Sequence, residues 1–414
     1  MKHCSACKLG DLLEIKHGYA FLGEHFADSG THIVLTPGNF YDEGGFKHKG
    51  ESEKWYTGPV PSEYILNEGD LVVAMTEQAE GLLGSSAIVP QGGLYLHNQR
   101  LGLVRLRDPS KTDKQFVYYL FNSGSVRQQI RASASGAKIR HTAPSRIANV
   151  SVLVPPLPIQ QRIAGILSTY DELIENNLRR IWILEEMTRA LYREWFVEFR
   201  YPSHEKVARV ASPVGDIPKG WQLKKLSDVA DVNRAQIRAR TAPDEIHYID
   251  ISSVSPGRIE TITTYEFGDA PGRARRIVQH GDVLWSCVRP NRRSHALAIC
   301  PEPNTIASTG FAVLTPRTVP YPFLYLATTT DDFVAYLTNN ATGAAYPAVT
   351  TATFEKADLL VPPAPLLRRF GELTIPIMEQ IYTLQRESQN LRWTRDLLLP
   401  RLISGLSGSH QASG

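Results

Sequence analysis

Between Ile159 and Phe199 the apolar residues fall at 159, 163, 166, 170, 174, 181, 184, 187, 191 and 195. Steps of three and four predict one long helix whose apolar stripe is narrow enough for a coiled-coil seam. At about 1.5 Å per residue the helix runs roughly 60 Å, more than one small domain covers, so it needs a partner helix. A second stripe supplies one, with Leu366, Phe370, Leu373, Ile377, Ile381, Leu384, Leu391, Leu398 and Leu402 between 366 and 404. Pro376 is expected to kink or interrupt this second helix, and Ser388 falls on its seam. Each stripe follows a proline-rich gate, Val154-Pro155-Pro156-Leu157-Pro158 and Val361-Pro362-Pro363-Ala364-Pro365, which predicts extended chain before the helix begins.

Upstream of the first gate the pattern shortens to strand lengths. Leu9 to Ile15 reads as a short helix or strand, His32 to Leu35 as an alternating strand, and 38 to 62 as a loop or hairpin region. Leu71 to Met75, Ala87 to Val89 and Leu101 to Leu106 read as buried strands, and Phe116 to Arg131 as one helix. After Phe199 come turn formers and few apolar residues, so 201 to 222 reads as a linker.

The rest of the chain repeats the first part. The gates align at 362 − 155 = 207, Ala134-Ser135-Gly136-Ala137 answers Ala341-Thr342-Gly343-Ala344, and Phe116-Val117-Tyr118 answers Phe323-Leu324-Tyr325. Further back the offset grows to 212, where Asn67-Glu68-Gly69-Asp70 meets Gln279-His280-Gly281-Asp282, and to 217, where Leu9-Gly10-Asp11 meets Leu226-Ser227-Asp228. Loop insertions between matched elements produce such a drift. The expected fold is therefore α+β: two tandem-repeated globular modules, 1–153 and 223–360, each followed by a gate and long helix, 154–200 and 361–405, with a linker over 201–222 and a tail over 406–414. The two helices are expected to pair as an antiparallel coiled coil about a pseudo-two-fold axis.

Composition narrows the class only slightly. With 45 Lys plus Arg against 42 Asp plus Glu the formal charge is +3, so a nucleic-acid site has to come from local clusters. Apolar runs far below the ~20 residues of a membrane span, and an N-terminus without a signal-peptide core, lead us to expect a cytoplasmic protein without membrane attachment. Four cysteines do not make a disulfide scaffold, and Cys4 and Cys7 have zinc spacing without a second close pair, so no metal is expected.

No motif for chemistry stands out. Val-Pro-Pro-Leu and Val-Pro-Pro-Ala lack the amide or carboxylate with which a methyltransferase loop grips a flipped base, and neither a phosphate-cradling Gly-x-x-x-x-Gly-Lys-Ser/Thr nor a His/carboxylate metal cluster is present. Catalytic and cofactor-binding residues are therefore expected to be absent. Glu175, Glu185 and Glu186 read as solvent-facing or partner-facing charges on the long helix.

Cationic loops remain as candidate nucleic-acid contacts. Lys138, Arg140 and His141 follow the first Gly loop, and Tyr346 follows the second. Arg289, Asn291, Arg292 and Arg293 end a strand in a stretch without a neighbouring acid in sequence, and Arg273, Arg275 and Arg276 sit in a Gly-Pro turn before a strand. Each competes with the plainer reading of a solvated charged face. That plainer reading is preferred for Lys47, His48 and Lys49, which are flanked by Asp42, Glu43, Glu51 and Glu53; Gln99 and Arg100 are weaker candidates still.

The order of module, Pro-Pro gate and long helix, given twice, resembles the specificity (S) subunit of type I restriction-modification systems. The resemblance covers Leu9 to Gly405 and is most specific at Pro213 to Trp221, at the two gates, and in the closing Arg395-Asp396-Leu397-Leu398-Leu399-Pro400-Arg401-Leu402-Ile403-Ser404-Gly405. It departs at the first module, which lacks the Ile-Pro-x-Gly-Trp lead-in, and at Gln160-Gln161 and Arg368-Arg369, where a Glu-Gln pair is common. The resemblance implies two target recognition domains, each reading half of a bipartite double-stranded DNA target. It further implies helices that set the spacing and dock two modification (M) subunits, which bring S-adenosylmethionine, and motor-nuclease (R) subunits joining the complex. Because the two Gly loops continue with different residues, the half-sites are expected to differ. The alternatives are a self-sufficient methyltransferase or nuclease with diverged motifs, and a coiled-coil scaffold that binds proteins only.

Overall fold

The computed structural model describes residues 4–77, 81–136, 139–238, 240 and 242–405, with side chains at all of these except 51 and 403–405. The chain divides into two compact units, Met1–Glu175 with Ser388–Gly414, and Asn176–Glu387. Each unit combines one module with a stretch of each long helix.

In the first unit, strand Ser5–Lys8 pairs antiparallel with Ser151–Val154, bringing the start of the module to the gate. A four-stranded sheet follows in the order Leu13–His17, Leu101–Leu106, Leu71–Ala74, Ser86–Ile88, and a second in the order Phe26–Ala27, Trp55–Tyr56, His32–Val34, Tyr95–Leu96. Leu71 to Ala74 are all buried, which explains the unbroken apolar run: this strand is covered on both faces. The single helix expected over 116–131 is two, Lys114–Asn122 and Gly124–Ala132. They part at Ser123, which is extended and spends its hydroxyl on the Leu120 carbonyl at 2.7 Å, as serine does at helix ends.

The second unit repeats this plan. Gln222–Lys225 pairs with Asp358–Val361, and the two sheets run Ala230–Val232, Phe311–Pro316, Val283–Ser286, His295–Leu297 and Thr263–Glu266, Glu245–Ile249, Thr305–Ser308, Ala274–Ile277. In each unit's second sheet the first and last parts of the module meet in parallel, Ile33 against Tyr95 and His247 against Thr305. The repeated acidic residues do the same work twice. Asp11 and Asp228 accept the Lys8 and Lys225 amides at 2.8 and 3.0 Å, and Asp70 and Asp282 accept the Asn67 and Gln279 amides at 2.8 and 2.7 Å.

The central helix is Leu157–Tyr192 with a π-helical continuation Arg193–Val197, and the C-terminal helix is Ala364–Gly405. Both start inside their gates, because Pro158 and Pro365 occupy the first turn, where a missing N–H removes no bond. Within the first unit Leu167 shares a core with Leu399, and within the second Ile181 shares one with Leu384, and Trp195 with Phe370. In the first unit Asp171 also meets Arg395, and partner numbers fall along one helix as they rise along the other within each unit, so the pairing is antiparallel in each. Pro376 does not interrupt the helix as expected: Phe370, Met378 and Ile381 on either side are buried in the second core and hold the backbone through it.

The stretch expected to be a linker is packed. Arg209–Ser212 and Gly215–Pro218 form a hairpin, and Tyr201, Ile217 and Trp221 are buried in the second unit's core. Trp221 lies 5.1 Å from Phe199, 5.8 Å from Tyr201 and 5.9 Å from Phe196, ring centre to ring centre. Few apolar residues suffice here because most of them are large aromatics.

Each core also holds a histidine. His97 and His295 are buried, and desolvation first of all lowers each to about 4. An unfolded histidine takes its proton near 6.5, so unfolding binds protons between these values. Stability is complete above about pH 6.5 and falls as the pH drops toward 4, by on the order of 3 kcal/mol per ring. His97→Gln, which still offers a donor to the Leu101 carbonyl now 2.9 Å from Nε2, should flatten that dependence for the first unit. Equal denaturant midpoints for the parent chain at pH 4.5 and 7 would refute this account.

Candidate DNA interface

In both units one loop closes on itself beside the last short helix of the module. Ser135 and His141 exchange backbone hydrogen bonds of 3.0 and 2.8 Å, and Thr342 and Ala348, the positions 207 further on, exchange two of 2.9 Å. The glycine after the first closing residue makes the reversal: Gly136 has φ +101° and Gly343 φ +105°. A Cβ on Gly136 would stand 2.1 Å from the Ile139 carbonyl oxygen, and one on Gly343 3.1 Å from that of Tyr346. Gly136→Ala should therefore destabilise its unit by roughly 1–3 kcal/mol and Gly343→Ala by less, measured by denaturant unfolding. The reverse order would contradict the geometry.

Each loop leans on the edge of a strand from the module's first half. Arg140 and His141 pair with Glu77 and Thr76, and Ala348 bridges to Val288, again at offsets of 207 and 212. This places Glu77 and Arg289 at matching sites, a correspondence already present in the numbering since 77 + 212 = 289. Glu77 is buried and accepts the Gly81 and Leu83 amides at 3.1 and 2.8 Å, with Arg131 at 4.0 Å. Arg127, also buried, donates to the carbonyls of Leu83 at 2.9 Å and Asp42 at 2.8 Å and to that of Gly81. Sequence reasoning passed over Glu77, Arg127 and Arg131, which hold the segment at 81–83 beside the strand on which the first loop leans.

Arg289 braces the second loop with its own backbone and side chain. It adopts φ +52°, its amide donates to the Pro347 carbonyl at 2.7 Å, its Nη2 to the Ala345 carbonyl at 3.0 Å, and its guanidinium lies 4.6 Å from the centre of the Tyr346 ring. Two separately chosen candidates, Arg289 and Tyr346, thus form one cluster. Asn291 and Arg292 are exposed beside it in the turn Pro290–Arg292. Arg293 pairs with Asp331, which corrects the expectation of a stretch with no acid nearby; the acid comes from the helix Asp331–Asn339 folded alongside. That pair is half exposed and of the kind that contributes little to stability, so a phosphate could replace the carboxylate.

The other candidates are less central. Arg275 and Arg276 lie within strand Ala274–Ile277 and not in the expected turn, and both are half-buried. Arg275 stacks 5.5 Å above Phe267. Burial lowers the Arg276 pKa against the Cys287 thiol beside it, and the backbone carbonyl of Cys287 accepts the Val349 amide at 2.9 Å, next to the second loop. Arg273 is paired with Asp250 at 2.7 Å. Arg140 and His141 are exposed on the first loop; Lys138 lies outside the described residues. Lys49, Lys47 and His48 are engaged locally, the Lys49 amide with Glu53 at 2.7 Å, Lys47 over Tyr41 and His48 against Phe46. Among the described residues no group of three or more His, Cys, Asp or Glu is arranged to hold a metal ion, and no helix is long and apolar enough to cross a membrane.

The gate and helix motifs also acquire structural roles. Gln160 is buried; its Nε2 donates to the Pro155 and Lys111 carbonyls at 2.8 and 3.0 Å and its Oε1 accepts the Asp113 amide at 2.9 Å, so this departure from the family pattern is an internal clamp. Arg395 of the closing motif donates to Asp171 at 2.5 Å, and Asp171 also accepts the Tyr119 hydroxyl at 2.6 Å. Burial alone would lower the Arg395 pKa, but Asp171 and Asp396 outweigh it and raise it. Glu185 and Glu186 pair with Arg189 along the central helix.

Comparison with known proteins agrees with this architecture. Residues 2–185 match the family model described as the type I restriction modification DNA specificity domain. The chain is 23% identical over 300 residues to the type I restriction enzyme MjaIX specificity subunit of Methanocaldococcus jannaschii, covering 70% of this chain and 68% of that one. It is 21% identical over 356 residues to the HindI specificity subunit of Haemophilus influenzae, covering 70% and 77%. The crystal structure of the type I restriction-modification S subunit from M. genitalium superposes with a TM-score of 0.59 over 96% of both chains at 17% identity, a likeness of fold. Residues 2–185 thus match the type I restriction modification DNA specificity domain, and over about 70% of its length the chain is similar to type I restriction enzyme specificity subunits.

Proposed function

We propose that this chain is the non-catalytic DNA-reading subunit of a type I restriction-modification complex. The observation that carries the reading is the duplicated loop: two modules of one fold each present the same closed loop, at 135–141 and 342–348, with different residues on it. Two similar but unequal readers suit a bipartite, asymmetric target in double-stranded DNA, with phosphate contacts holding the register and loop residues reading base edges. The paired helices set the distance between the half-sites. Their outer faces support docking of two M subunits: Leu173 and Trp393 in the first unit and Trp182 and Met187 in the second are between 50% and 67% exposed, more apolar surface than a helix facing only water normally carries. The M subunits would hold S-adenosylmethionine and perform the methyl transfer, and R subunits would join for cleavage.

The test is co-expression of the chain with a cognate M subunit, followed by sequencing that maps methylated bases in host DNA. A split motif with a fixed unspecified spacer, lost when this chain is omitted, is the expected outcome. Methylation by the purified chain alone would point to the enzyme alternative. A complex that forms and leaves the methylome unchanged would point to a scaffold.

A further inference from the structure

The matched loops share one more feature. At 139 + 207 = 346 the first carries Ile139 and the second Tyr346, and both are among the exposed large apolar side chains, 39% and 69% accessible. Each stands one residue before the position that leans on the strand edge, Arg140 opposite Glu77 and Pro347 bonded by Arg289. A loop whose closing bonds, positive-φ glycine and strand-edge contact hold a large apolar side chain out in water is built to place that residue against something. Cationic side chains lie close by, Arg140 next in sequence to Ile139 in one unit, and in the other Arg289 against the Tyr346 ring with Arg292 exposed in the turn that follows it.

We infer that Ile139 and Tyr346 are specificity-determining residues, each making the apolar contact with a base, the thymine methyl or an exposed base edge, in the half-site its own module reads. The inference rests on the DNA-reading function proposed above. Flanking cations draw the loop onto the phosphates and the apolar tip enters the groove, where a methyl group or ring face distinguishes one base pair from another. Arg289 is a positioning residue here. Its amide, guanidinium and left-handed backbone hold the Pro347 and Ala345 carbonyls, and its cation lies against the Tyr346 ring, fixing the ring's direction. In the first unit the matching place is taken by Glu77, whose backbone pairs with Arg140 while its side chain accepts the amides of residues 81 and 83, so the two tips stand on different supports and read different bases.

Methylome mapping in cells carrying the M subunit and each variant of the full chain tests this. Tyr346→Ala should lower discrimination at one or two adjacent positions of one half-site by about tenfold, leaving the other half-site and the spacer unchanged. Ile139→Ala should do the same in the opposite half only. Tyr346→Phe should keep the parental motif, because the ring makes the contact, and Arg289→Lys should relax the same positions as Tyr346→Ala. An unaltered motif in both alanine variants, or relaxation of the same half by both, would overturn the inference. Should Tyr346→Ala lose methylation altogether and also melt lower, Tyr346→Leu decides in its place, since it keeps the bulk and removes the ring. A parental chain that directs no split motif would count against the proposed function itself, before any variant is read.

Discussion

Phe370→Ala should cost the second unit about 3–5 kcal/mol. Phe370 is fully buried, with ring centres 4.7 Å from Phe196, 5.9 Å from Trp195 and 6.4 Å from Tyr192. Those three belong to the central helix and its π-helical end, so the ring is the main contact by which the C-terminal helix packs there. Removing it leaves a cavity that rigid helices on both sides cannot close, and the lost transfer energy and the void add. Amide hydrogen exchange of the second unit's strands, 283–286 and 311–316, should accelerate by two to three orders of magnitude, while the Leu71–Ala74 strand of the first unit should not. Unchanged protection at 283–286 would refute the assignment.

Arg395→Ala should cost the first unit roughly 3–5 kcal/mol by a different route. Arg395 is 8% exposed, and its removal leaves the Asp171 carboxylate, half-sheltered beneath Tyr119, without its counter-charge. Replacing both members by apolar residues, Asp171→Met with Arg395→Leu, should recover most of the loss, because a buried pair gives little net stability over well-packed hydrocarbon. The repeat already holds this place without an ion pair: at an offset of 207 the second unit has Leu326 and Met378 where the first has Tyr119 and Asp171, and Thr188 where the first has Arg395, all three buried. Denaturant unfolding of the three variants checks this. A single variant losing less than about 1 kcal/mol, or a double variant no better than the single, would show that the pair is not the clamp described.

The antiparallel arrangement of that clamp also gives the closing motif a meaning. Arg395, Leu398, Leu399 and Leu402 stand far from residues 1–175 in sequence, yet they complete the first unit's core. The first module alone would leave Ile163, Ala164 and Leu167 without the helix that covers them.

What the sequence determined by itself is the periodic and the repeated. Two stripes of period three and four, two proline gates and an internal offset that drifts from 207 to 217 were sufficient for two α+β modules, two long helices and the family resemblance, because hydrophobic period and self-similarity are local properties of the chain. Tertiary structure decided where single residues went. Pro376 stays in a helix because Phe370 and Met378 pack around it, and Trp221 turns an apparent linker into core because a few aromatics bury as much surface as many aliphatics. Arg293 finds Asp331 and Glu77 finds the Gly81 and Leu83 amides through chain crossings that no spacing rule encodes. The candidate cations were legible as clusters, since charge runs are visible in any sequence. That Arg289 is a brace and Tyr346 the exposed tip was not, because the difference lies in a left-handed backbone and two carbonyl bonds that exist only once the loop has closed.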